Sequence, residues 1–111
     1  MGLFLGLNHV EGGFGVRWYG VGPNADLSDD SHSLAYCLHG GSEGDVDLYV
    51  MINAYWQPLT FTIQEGGPGQ WRRAVDTALA RAQDISERGS EPVVPSTSYE
   101  VQARSVVVLL R

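Results

Sequence analysis

Carboxylates, three histidines and one thiol are the groups in these 111 residues that could act chemically on another molecule. Asp29, Asp30, Asp45 and Asp47 form two close pairs. Two carboxyl groups held roughly 5–10 Å apart across a bond can cleave a glycoside. All four aspartates, however, lie in or beside stretches rich in Gly, Ser and Asp, where an aspartate bonds its own backbone and closes a turn. Turn-making is therefore the reading adopted for them. Asp30-Ser31-His32 holds the residue types of a nucleophilic relay. Neighbours on an extended chain point to opposite sides, so the tripeptide cannot relay a proton along itself, and it is read as the start of a strand. His32, His39, Asp45 and Asp47 invite a metal reading. Structural zinc takes four closely spaced ligands, usually with cysteine among them, and Cys37 is the only cysteine. Neither a metal nor a cofactor is expected, and the histidines are read as surface or strand-end residues.

The aromatic residues offer a different chemistry. Sugar C–H groups pack on aromatic planes, so Trp18, Tyr19, Tyr55, Trp56 and Trp71 are candidates for carbohydrate contact. Trp and Tyr also fill cores and interfaces, because they bury a large area while keeping a polar tip. All three roles stay open for this group. Tyr55-Trp56 follows an apolar strand at a turn and is the pair expected to be exposed. Asn53 and Asp76 are expected at strand ends, bonding nearby backbone. Arg72, Arg73 and Arg104 read as solvated or paired.

The elements that position these residues read as short strands. Ser33 to His39 alternates, with Leu34, Tyr36 and Leu38 on one face and Ala35, Cys37 and His39 on the other. Val46 to Ala54 is apolar on both faces, which predicts a central strand. Leu59, Phe61 and Ile63 alternate with Thr60, Thr62 and Gln64, the pattern of an antiparallel strand with one wet face. Glu65 to Gly69 is a turn, and Trp71 to Asp76 returns. Thr77 to Arg88 is ambiguous: Leu79, Ala82 and Ile85 recur at helical spacing, and Thr77 suits a cap, but an irregular crossover fits equally. Gly89 to Pro95 reads as loop, Tyr99 to Val101 as a brief strand, and Ser105 to Leu110 as a buried strand closing the core. Gly20 to Asn24, Asp26 to Ser31 and Gly40 to Asp45 are turns or loops. Residues 1–15, with five glycines, read as a lead-in segment or linker remnant. The fold class is all-β: an antiparallel β-sandwich of about six to seven short strands over residues 16–111.

Charge narrows the partners. Thirteen Asp and Glu face seven basic residues, all arginine, for a net of −6. Without a basic cluster the chain is a poor ligand for nucleic acid and for an anionic membrane. No apolar run is long enough to span a bilayer. The N-terminus lacks the charge and apolar length of a signal peptide. A single cysteine suits a reducing compartment, so a cytoplasmic location is expected.

Six blocks, in order, resemble the C-terminal domain of bacterial glycogen-debranching enzymes and isoamylases. They are Trp18-Tyr19-Gly20-Val21; Ser31 to Tyr36; Asp47 to Trp56; Leu59-Thr60-Phe61; Trp71 to Ala78; and Ala103 to Leu109. The resemblance runs from about Val16 to the end. It implies a β-sandwich that packs against a (β/α)₈ barrel in an α-amylase-clan enzyme cleaving α-1,6-glucosidic branches. The catalytic carboxylates of such enzymes lie in the barrel, so none maps onto this sequence. The expected partners are that barrel and an α-glucan, with a homodimer through the docking face as a further expectation. Met1 opens a chain similar to the tail of a longer one, which reads either as an expressed fragment or as a gene product encoding the domain alone.

Overall fold

A computed structural model describes residues 15–24, 32–40, 46–79, 84–87 and 89–111. Eight strands account for the regular structure among them: β1 (Gly15–Tyr19), β2 (Ser33–His39), β3 (Leu48–Asn53), β4 (Leu59–Thr62), β5 (Trp71–Asp76), β6 (Val93–Val94), β7 (Ser98–Val101) and β8 (Ser105–Leu110). Six form one sheet in the order β1-β2-β3-β8-β5-β6, and β4 pairs with β7 in a second. Every pairing is antiparallel. The all-β, sandwich-like architecture expected from the sequence is the one found. Two strands are not read one by one from the sequence: β1, which takes in Gly15 from the lead-in segment and the aromatic Trp18-Tyr19, and β6, two residues within a stretch read as loop, held by Trp71↔Val94 and Arg72↔Val93.

Alternation sets the core. Ala35 and Cys37 on β2, Tyr49 and Met51 on β3, and Val107 and Leu109 on β8 all turn inward and are fully buried. From the small sheet, Phe61 and Val101 meet them, with Ile63 just beyond β4. The wet-face pattern of β4 holds: Thr60 and Thr62 are exposed while Phe61 is buried. β3 is central, with β2 on one side and β8 on the other.

The stretch left open between helix and crossover takes the irregular course. Among the described residues there is no helix between Thr77 and Arg88; residues 80–83 and 88 lie outside the described set. Asp76 turns the chain there, accepting from Ala78 N–H through its side chain and from Leu79 N–H through its carbonyl. The chain then runs back along β5, with Val75 bridged to Ile85 and Ser86 N–H donating to Ala74. The helical spacing of Leu79 and Ile85 loses to ladder bonds already offered by the end of β5. Within β5 the register shifts between Arg73 and Val75. Such a bulge reverses the side-chain alternation. Trp71 begins the strand buried and Asp76 ends it buried, at 4% exposure. Asp76 is thus more than a strand-end turn former: Tyr99 Oη donates to its carboxylate at 2.6 Å.

Candidate docking face and aromatic corner

One buried side chain builds the corner where β3, β7 and β8 end. Asn53 is 1% exposed. Its Nδ2 lies within bonding distance of three carbonyls, those of Gln57 (2.9 Å), Val101 (3.0 Å) and Gln102 (3.1 Å). Its Oδ1 accepts from Tyr55 N–H at 2.9 Å. An asparagine can offer donors and an acceptor at once, so this residue ties the turn after β3 to the turn between β7 and β8. Arg104 completes the tie, donating its backbone N–H to the Tyr55 carbonyl at 3.1 Å. Its φ of 53° is in the left-handed region, an uncommon conformation for a non-glycine residue.

The bracket presents rings. Tyr55 stacks on His32 at 5.4 Å between centroids and lies 5.4 Å from the tilted ring of Trp56. Trp56 is 64% exposed. His32 is held beside the turn because its carbonyl accepts from Ala54 N–H at 2.8 Å.

The same corner borders the outer face of the six-stranded sheet. Registers there align apolar residues into three rungs. Leu34 faces Ile52, which faces Val106; Tyr36 faces Val50, which faces Val108; Leu38 faces Leu48, which faces Leu110. Trp18 extends the middle rung on β1, opposite Tyr36, with ring centroids 5.3 Å apart. Except for the buried Val50, these residues are half-buried. Antiparallel sheets facing water usually alternate apolar with polar; this one is apolar on both faces through its centre.

The five aromatic candidates therefore separate. Tyr55 and Trp56 form the corner, and Trp18 lies on the outer face. Tyr19 turns inward, stacked on Tyr49 at 5.9 Å. Trp71 takes the core role: it is 2% exposed, its Nε1 donates to the Glu65 carbonyl at 2.7 Å, and Arg111 covers its ring at 4.6 Å. Gly66, at φ 76°, makes that close packing possible, because a Cβ there would come within 2.7 Å of Arg111 Nη1. Asp47 serves its neighbourhood, accepting from Gly40 N–H at 3.1 Å and pairing with Arg111 at 2.8 Å. Asp29, Asp30, Ser31 and Asp45 lie outside the described residues.

A second polar cluster went unread in the sequence. Glu65, in the loop after β4, meets His39 Nε2 at 2.5 Å and accepts from Tyr19 Oη at 2.8 Å, beside Cys37. Burial disfavours the Glu65 carboxylate, but the bonds from His39 and Tyr19 outweigh it and hold the carboxyl below its usual range. Burial first, and then the Glu65 charge, push the Cys37 thiol up to about 12. Cys37 and His39 were visible as an i, i+2 pair on β2; Glu65 is 26 residues from His39, and only the sandwich brings it there.

The described residues form an antiparallel, all-β sandwich whose larger sheet is apolar on both faces through its centre. The family described as "Isoamylase, C-terminal" matches residues 16–110, and the chain belongs to that family. No curated protein matches it.

Proposed function

We propose that this chain is the non-catalytic accessory domain of a glycogen-debranching, isoamylase-type glycoside hydrolase. It seats its three-rung face and the Tyr55-Trp56 corner on a catalytic (β/α)₈ barrel. The observation that carries the reading is the outer sheet face, apolar across β2, β3 and β8 where a free sandwich would turn polar residues to water. Covering such a face removes apolar area from water, at roughly 25 cal/mol per Å². The domain stabilises and shields the barrel, and the barrel supplies the carboxylates that cleave α-1,6 branches. The lone buried thiol suits a cytoplasmic setting.

The test mixes the purified chain with an isoamylase-type enzyme truncated before its own C-terminal domain. Co-elution and a raised thermal midpoint of the barrel are expected. Absence of both, or release of reducing ends from a branched glucan by the chain alone, would sink the reading. Self-association of the chain at the expense of the mixed complex would point instead to a homodimer through this face.

Trp56 supports a second reading. Its exposed ring, with the His32–Tyr55 stack beside it, is a surface on which an α-glucan could lie. Titration with maltoheptaose decides it: tryptophan fluorescence that changes in the parent chain and not in Trp56→Ala favours glucan contact.

A further inference from the structure

We infer that Cys37, His39 and Glu65 form a binding site for one divalent cation of the zinc class. The inference is independent of barrel docking. Cys37 and His39 stand two residues apart on β2, so strand alternation turns both to the same side. Glu65 comes to them from the loop after β4. The Cys37 sulfur, a His39 ring nitrogen and a Glu65 carboxylate oxygen all lie within 4.8 Å of one another.

Zinc bonds to sulfur, nitrogen and oxygen run about 2.0–2.3 Å, so tetrahedral ligands stand about 3.3–3.8 Å apart. The sulfur lies within 4.8 Å of the other two ligand atoms, so it too must close in by up to about an ångström. His39 Nε2 and Glu65 Oε1, now 2.5 Å apart, must separate by about an ångström to admit the ion. The two movable partners allow it: His39 ends its strand, and Glu65 sits in a loop. Tyr19 holds the other carboxylate oxygen at 2.8 Å, the kind of supporting bond that orients a ligand.

Charge and softness fit as well. A thiolate and a carboxylate neutralise a divalent ion, and a neutral imidazole completes three protein ligands, leaving one position for water. Sulfur and imidazole select zinc-like ions over calcium or magnesium, which take oxygen. Cys37 is buried, while the His39 and Glu65 side chains keep 29% and 15% of their exposure, giving the ion a way in. Without metal, the same three residues make a plain hydrogen-bonded cluster, and the experiment separates the two.

Cobalt(II) is the probe, because a cobalt–thiolate bond gives a charge-transfer absorption that zinc lacks. The full chain, reduced, is titrated with cobalt and then with zinc. A one-to-one band, displaced by zinc and absent in Cys37→Ser, is expected. His39→Gln and Glu65→Gln should each weaken cobalt binding at least about tenfold. Near-ultraviolet circular dichroism checks that each variant is folded; should Cys37→Ser unfold, the other two variants decide the matter. No band with the parent chain at tens of micromolar cobalt overturns the site. So does an unchanged affinity in both folded variants, which would leave the thiol binding cobalt by itself.

Discussion

Asn53 Oδ1 accepts the Tyr55 backbone N–H at 2.9 Å, and this one bond sets the angle at which the chain leaves β3. The two N–H groups of the same side chain are shared among three carbonyls, one of them, on Val101, fully buried. Asn53→Ala leaves these groups without partners, and a buried polar group left unsatisfied costs about 1–3 kcal/mol. We expect a loss of about 2–4 kcal/mol, read as a lower urea midpoint at unchanged slope. A loss within experimental error would show that water replaces the side chain.

Trp56 and Trp71 should behave oppositely. Trp56 is 64% exposed, so Trp56→Ala should change the stability of the isolated chain by less than about 0.5 kcal/mol. Its effect should appear only in association with the barrel. Trp71 fills the core, and Trp71→Ala should cost about 3–5 kcal/mol. Thermal melts of the two variants in parallel check this, and a strongly destabilised Trp56→Ala chain would remove Trp56 from the surface site.

Alkaline pH should unfold the chain late. Burial pushes Tyr49 and Tyr99 up to about 12, from an ordinary value of 10.0, and for Tyr99 the bond to Asp76 adds to it. A group whose value is raised by folding contributes stability that is complete below its unfolded value and is lost as pH climbs through the folded one. That contribution should hold below pH 10 and fade between 10 and about 12. Phenolate absorbance and denaturant midpoints followed over this range should change together. Full titration of all tyrosines near pH 10, with the fold intact, would contradict it.

In the metal-free chain Cys37 should resist bulky thiol reagents. It is fully buried, and burial raises its thiol to about 12, so little thiolate exists at neutral pH. Ellman's reagent should leave the native chain unlabelled and react with one thiol after unfolding. Rapid labelling under native conditions would show that β2 opens to solvent.

The sequence disclosed most of the strands because their burial is one-sided or complete. Leu59-Thr60-Phe61-Thr62 alternates cleanly and is β4; the apolar run after Ser105 is β8. The run at β8 nonetheless reads as buried on both sides, whereas Val106, Val108 and Leu110 lie half-buried on the outer face. An apolar outer face and a core face have the same composition, so an apolar run does not distinguish them. β6 escaped because two residues carry no period.

The site was legible where residues are close in sequence and hidden where they are not. Tyr55-Trp56 stood out as aromatics beside a turn. Asn53 was read as a strand-end residue, and that much holds, but its bonds to Val101 and Gln102 span 48 and 49 positions. Helical spacing leaves 77–88 open between helix and crossover, because the partners that decide it belong to the backbone of β5. The burial of Asp76 depends on a bulge that no residue type announces.

The place of β8 in the sheet also governs when the protein can be born folded. β8, which follows the other seven strands in sequence, lies between β3 and β5, in the middle of the large sheet. Its partner on β3 emerges some fifty residues earlier, as in Asn53↔Ser105, and must wait with its edge unpaired. Distant pairings of this kind form slowly and leave nascent chains open to aggregation. Stalled chains ending before Ser105 should therefore stay protease-sensitive, and the addition of six residues should make them resistant in one step.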